Sequence, residues 1–275
     1  MTRSRIVNDL TTLGVHRGDT VMVHTRMSAI GFVPGGTRTV VEALAETVGD
    51  TGTLMAYCGW NDAPPYSLAD WPENWREAAR SAWPAFDPLL SEADHGVGRV
   101  PEALRRWPGA VRSRHPDASC VAAGPAAHRL LDDHPWDDPH GPDSPLARLT
   151  AIGGRVLLLG APLDTLTLLH HAEALAEAPG KRYVTYEQPI TVAGKRVWRR
   201  FRDVDTETEA FDYGQVLPSG VWPFTAIAQE VLDAGLGRTG MVGAARSHLF
   251  EAADVVRFGV DWIESHLGAA APADD

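Results

Sequence analysis

Apolar positions along the chain fall into two periods. Ile6, Leu10 and Leu13 recur at helical spacing between Thr2 and Leu13, and Gly14 closes the segment, so a helix is expected there. Thr20–His24 and Thr53–Cys58 are short apolar runs of the kind that form buried strands. Between them Gly35-Gly36-Thr37 opens an amphipathic helix running to Val48. A short helix is expected near 73–81. A second spans 98–107, ended by Pro108-Gly109, and a third starts at Ser144-Pro145 in N-cap and first-turn places. A strand runs through Ala123, and another covers 155–160. After that strand a helix can start at Asp164 or Thr165 and run to about Ala178, before Pro179-Gly180. Positions 182–192 and 195–201 read as a hairpin through Ala193-Gly194. Helices over 222–234 and 252–266 flank a strand-like stretch, 241–250. Gly235–Gly240 matches a dinucleotide fingerprint in form, but it follows a helix and reads as that helix's terminal turn. The alternation predicts an α/β (α+β) fold, a mixed central β-sheet flanked by helices. One domain is expected over 1–267, with a flexible tail at 268–275.

The segment after the 155–160 strand carries the most chemistry. In an open α/β sheet, ligands bind in the crevice at the carboxyl ends of the strands. At about 100° per residue, Leu168, Leu169, Ala172, Leu175 and Ala176 share one helix face, and His170, Glu173 and Glu177 share nearly the opposite one. A His with a Glu three residues on can be polarised by it, and Asp164 stands just before the helix. Such a cluster suits general base chemistry, although a solvated helix face would show the same spacing.

This segment, from Pro162-Leu163-Asp164 to Leu169-His170-His171-Ala172-Glu173, resembles the core motif of the aminoglycoside 3-N-acetyltransferase (antibiotic N-acetyltransferase) family. That motif is an Asp, a few residues with Thr, then Leu-His-x-Ala-Glu. The Glu sets the register, so the family's His falls on His170 and not on His171. The stretch His24-Thr25-Arg26-Met27-Ser28, followed by Gly35-Gly36-Thr37, is similar to the family's coenzyme A segment, with Thr25 where Ser is commoner. Ser113-x-His115-Pro116 is similar again. The matches span nearly all of the chain except its C-terminal end.

The resemblance implies an antibiotic N-acetyltransferase-like fold, distinct from the GNAT fold. It implies acetyl transfer from acetyl-CoA to the 3-amino group of 2-deoxystreptamine aminoglycosides, which confers antibiotic resistance. His170 would be the base, oriented by Asp164 and Glu173, with Thr165 or Thr167 or a backbone N–H serving the oxyanion. His24, Thr25, Arg26, Ser28, Gly35, Gly36, Thr37 and Ser113 would hold the cofactor. The acceptor cleft is expected in the long irregular stretch 59–95, rich in aromatics and acids: Tyr57, Trp60, Asp62, Phe86 and Glu92, joined by Asp212. Asp205, Glu207 and Asp212 are the alternative acceptor site. An acyltransferase of this fold acting on another amine is the near rival. A metal hydrolase using His170, His171 and Glu173 is disfavoured, because adjacent histidines point to different helix faces. A non-catalytic module binding CoA or a cationic ligand is the third.

Composition narrows the setting. The 275 residues carry a formal charge of −11, which argues against nucleic acid or anionic membrane as partner and suits a cationic substrate. No apolar run approaches the roughly 20 residues of a membrane span, and no signal-like h-region follows Met1, so a cytoplasmic protein is expected. Cys58 and Cys120 suggest neither a disulfide framework nor a zinc site, and no metal is expected. The segment Asp132-Asp133-His134-Pro135-Trp136-Asp137-Asp138-Pro139-His140 looks metal-binding at first, but its prolines break the spacing, and it reads as an acidic capping loop. The basic residues of the hairpin's second strand could meet adenosine phosphates, or simply form a solvated face. Monomer and homodimer both remain open.

Overall fold

The computed structural model describes residues 1–268. The expected tail from 269 onward lies outside the described residues. The strands are β1 (Thr20–Thr25), β2 (Thr53–Tyr57), β3 (Val111–Arg112), β4 (Cys120–Ala123), β5 (Arg155–Leu159), β6 (Tyr183–Val192), β7 (Lys195–Val204), β8 (Gly237–Val242) and β9 (Ala245–Glu251). Seven of them form one sheet in the order β3-β4-β2-β1-β5-β9-β8, and β6 and β7 form a separate hairpin. β2, β1 and β5 are parallel; β4, β3, β9 and β8 add antiparallel edges. This is the mixed sheet that the pattern predicts.

Strand period sends side chains into two cores. Met22, Met55, Val156, Leu158 and Phe250 enter one face, under the helices Pro145–Ala151, Leu168–Leu175, Pro223–Asp233 and Ala252–Gly268. Val21, Val23, Leu54, Leu157 and Leu249 enter the other, under Arg3–Leu13, Thr37–Val48 and Arg99–Arg105. Burial on both faces explains why the central strands are continuous apolar runs. Trp60, Phe86, Tyr186, Ile190 and Phe201 form a third cluster that fastens the long 59–95 stretch to the hairpin. Arg112 ties the same stretch from below: its guanidinium lies over Phe86 and donates to the carbonyls of Gly59 and Ser91.

Two expectations change. Gly237–Val242 is a strand paired with β9, not a terminal turn. Glycine is needed there because a Cβ at position 237 would lie 2.8 Å from the Phe250 ring, a close approach of the kind that glycine in a strand often marks. The helix expected from Asp164 to Ala178 is two pieces, a 3-10 turn Leu163–Thr165 and a helix Leu168–Leu175. Leu175, expected on the buried face, is 37% exposed, because the helix ends there and Ala176 turns to extended backbone.

Parallel pairing brings the carboxyl ends of β1, β2 and β5 to one edge. His24, Thr25 and Tyr57 therefore meet the turn at Gly160, where a ligand crevice forms in open sheets. Gly160 has φ +65°, and an added Cβ would sit 2.7 Å from Ala29 Cβ and 2.8 Å from Ala245 Cβ. Gly160→Ala therefore combines left-handed strain with overpacking, and should lower stability by about 2–4 kcal/mol in chemical denaturation. An unchanged midpoint would mean that the turn relaxes freely.

Candidate active site

Glu173 is 2% exposed, so its carboxylate must be fully bonded. One oxygen lies 2.8 Å from His170 Nδ1, and the other accepts from the Tyr213 hydroxyl at 2.8 Å. The i, i+3 spacing supplies the first contact, while Tyr213 arrives from a 3-10 turn, Tyr213–Gln215, far along the chain. Nδ1 is thus the ring's donor nitrogen, leaving Nε2 as the one able to take a proton. Phe224 packs edge-on against the ring at 4.7 Å between centroids. Asp164 lines the same pocket but makes no hydrogen bond to His170, so orientation rests with Glu173.

A second His–carboxylate pair stands beside the first. His140 Nδ1 lies 2.8 Å from Asp203 Oδ2, both side chains are buried, and the His140 and His170 rings are 5.4 Å apart. Burial pulls the His140 pKa down, but the facing Asp203 carboxylate, with Asp117 and Glu173 adding to it, makes the net direction upward. His171, expected to face away from His170, is buried, and its Nδ1 lies 2.7 Å from the His140 carbonyl, holding that loop in place. The acidic stretch before His140 is tied to the hairpin. Asp137 and Asp138 meet Arg199 and Arg202 of β7, which also answers the question of the hairpin's basic face.

The pocket at His170 holds about 200 Å³ and is lined by Asp164, Asp205, Glu207, Glu209, Trp222 and Phe224 among others, with no Lys or Arg among its lining residues. A groove of about 600 Å³ lies on the other side of the 161–170 segment. His24, Thr25, Arg26, Ser28 and Tyr57 line it, together with Thr165 and Thr167. His24 Nε2 and Thr25 Oγ1 are buried there without a partner, and burial lowers the His24 pKa to about 4. One short segment therefore faces both cavities, with His170 at its end.

Other expected site residues lie elsewhere. Gly35, Gly36 and Thr37 begin a helix outside the groove. Ser113 is buried, bonded to Cys120 N and His134 Nδ1, and cannot reach a ligand. Trp60 and Phe86 are 6% and 3% exposed, pack on each other and line neither of these two cavities. Asp62 is exposed and bonds Asn61, and Glu92 pairs with Arg106 and His95. Asp212 bonds Gln215 at the turn that places Tyr213. The alternative acid set fits better: Asp205 and Glu207 line the His170 pocket, with Glu209 added and Asp212 just outside. His115 is a loop histidine, accepting from Ala118 N. Among the described residues, no group of three or more His, Cys, Asp or Glu could hold a metal ion. Nor is any helix among them long and apolar enough to cross a membrane.

A sequence profile of the aminoglycoside 3-N-acetyltransferase family matches residues 22–264. The chain belongs to this family. It is similar to aminoglycoside N(3)-acetyltransferase VIII of Streptomyces fradiae, 75% identical over 271 residues, covering 98% of this chain and 94% of the relative. A crystal structure of aminoglycoside acetyltransferase AAC(3)-Xa superposes with TM-score 0.97 at 66% identity, over 98% of this chain and 94% of that one. A structure of AAC-IIIb binary with CoASH superposes with TM-score 0.88 at 42% identity, over 99% of both chains. The expected antibiotic N-acetyltransferase-like architecture is thus the observed one.

The raised His140 pKa gives a pH-dependent stability. The pair's contribution is fully present below the unfolded His value of about 6.5 and is lost as pH rises through the folded value. The melting-temperature gap between wild type and Asp203→Asn should be widest near pH 6 and narrow towards pH 9. A gap that widens with pH would reverse the assignment.

Proposed function

We propose that the protein transfers acetyl from acetyl-CoA to the 3-amino group of 2-deoxystreptamine aminoglycosides, with His170 as general base. The observation that carries this is the His170–Glu173–Tyr213 chain at the end of a segment facing two cavities, one walled by acids and the other holding unpartnered donor and acceptor atoms. Acid walls without a cation suit a polyamine. The groove, lined by Arg26 and Arg99 together with His24 and Thr25, fits a phosphorylated thioester carrier, whose chemistry is to supply an activated acetyl group.

The acceptor is an ammonium at neutral pH, and it releases one proton to solvent before attack, leaving the neutral amine as nucleophile. His170 Nε2 takes the amine's proton as the N–C bond forms and the C–S bond breaks, then returns it to the departing sulfur. Glu173, already bonded to Nδ1, stabilises the imidazolium between these steps. Thr165 and Thr167 line the groove, but their hydroxyls donate to the Pro162 and Thr165 carbonyls, which leaves a backbone N–H as the better partner for the carbonyl oxygen as it gains charge. His140 with Asp203 is the second proton-handling pair within ring distance. Cys58 and Cys120 take no part: both thiols are buried, and burial pushes the Cys58 pKa up to about 11.

Release of free CoA thiol across an aminoglycoside panel tests the reading. Substrates with a free 3-amino group should turn over, and the NMR spectrum of the product should show acetylation there. Acetylation at the 6′-amino group would refute the regiochemistry. His170→Ala should lower kcat by roughly 10²–10⁴-fold with the KM for acetyl-CoA little changed. A variant that keeps wild-type kcat would remove His170 from the mechanism.

A further inference from the structure

The Asp117 carboxylate makes no salt bridge among the described residues, although His140 acts on it from nearby. Its Oδ2 accepts from the Tyr66 hydroxyl at 2.9 Å, Gln188 Nε2 stands 3.5 Å from Oδ1, and the Tyr57 hydroxyl donates to its backbone carbonyl at 3.0 Å. Tyr186 lies flat on Tyr66, with centroids 4.0 Å apart. Gln188 and Tyr186 are 0% and 2% exposed, yet Gln188 Oε1 and the Tyr186 hydroxyl have no hydrogen-bond partner. Leaving buried polar atoms unmatched costs free energy, and so does leaving a carboxylate without a counter-charge. All three groups have spare acceptor capacity, and among the described residues no cationic donor is within hydrogen-bond distance of them. The two tyrosines that hold residue 117 each line an open groove, Tyr57 beside His24 and Tyr66 beside Arg76 and Glu77.

We infer that Asp117, Gln188 and Tyr186 form a subsite for a primary ammonium of the acceptor, on a sugar ring other than the one acetylated. The inference rests on the polyamine acceptor proposed above, and it makes Asp117 a specificity residue for that acceptor. A cation arriving there supplies the missing counter-charge and gives Gln188 Oε1 and the Tyr186 hydroxyl a donor. The electrostatics of the carboxylate agree. Burial raises the Asp117 pKa to about 6, against the pull of the Tyr66 hydrogen bond, with Asp203 raising it further, His140 lowering it and Glu207 raising it. Tyr57, Tyr66 and Tyr186 face the same carboxylate and stay neutral, since burial raises all three hydroxyl pKa values. Because a bound ammonium favours the ionised form, affinity should fall as pH drops through about 6 and the free carboxyl holds its proton.

Calorimetric titration of a 2-deoxystreptamine aminoglycoside panel, without acetyl-CoA, tests this on wild type, Asp117→Asn and Tyr186→Phe. Asp117→Asn keeps the shape and should weaken acceptor binding at least about tenfold (about 1.4 kcal/mol), with acetyl-CoA affinity unchanged. It should also flatten the loss of affinity between pH 7.5 and 5, which the other acids alone do not remove. Tyr186→Phe deletes a hydroxyl that the empty protein leaves unmatched. A merely structural role predicts equal or higher melting temperature and unchanged binding, whereas the subsite predicts weaker acceptor binding at that same melting temperature. Tyr186→Phe carries the test if Asp117→Asn does not fold. Wild-type affinity and pH slope in both variants would overturn the subsite. A wild type that binds none of the panel would overturn it together with the acceptor reading. Failure of His170 as base alters turnover and leaves these titrations intact.

Discussion

A carboxylate removed from water has to be matched on both oxygens, and the site depends on Glu173 meeting that condition. His170 and Tyr213 supply the matches, and neither contact forms unless the helix Leu168–Leu175 is pressed into the core. Gly259 in the C-terminal helix permits this: a Cβ there would come within 2.8 Å of Ala172 Cβ and 2.9 Å of Leu169 Cδ2. Close helix packing thus buries Glu173, and the buried Glu173 fixes the His170 ring. Residues far from the reacting atoms decide which imidazole nitrogen is free to accept a proton.

The hairpin extends the same logic to the second pair. β7 is largely basic, but Asp203 points inward beside Phe201 and meets His140 from a loop 63 residues earlier in the chain. Arg199 and Arg202 hold that loop through Asp137 and Asp138, and His171 holds it through the His140 carbonyl. Surface ion pairs of this kind contribute roughly 0–1 kcal/mol each to stability, so their value here is positional. They deliver a buried imidazole to within ring distance of His170.

Local relations were legible in the sequence, and distant ones were not. The His170–Glu173 contact follows from one helical turn, and Ala193-Gly194 marks its hairpin because both residues adopt positive φ there. Tyr213, His140 and Asp203 are brought in by tertiary packing, which no spacing encodes. Strand alternation did hold a clue: Phe201 and Asp203 share a β7 face, so an acid on the side of a buried aromatic was the signal for a buried pair. The aromatics of the 59–95 stretch misled for the opposite reason. Trp60 and Phe86 make that stretch ordered by packing on the hairpin, and their rings line neither of the two cavities at the 161–170 segment.

An acid-walled pocket poses a problem for amine chemistry that its layout answers. A carboxylate beside an ammonium raises the ammonium's pKa and so opposes the deprotonation that attack requires. A polyamine therefore needs carboxylates at its spectator amines and a neutral base at the reacting one. Asp205, Glu207 and Glu209 belong to the loop beyond the hairpin, while the 161–170 boundary between the two cavities carries the His170 imidazole beside Asp164. Glu173, the one carboxylate directly behind that imidazole, is sequestered by Tyr213 and His170. In the proposed reaction its charge would act chiefly on the ring it is bonded to, at the moment the amine's proton moves.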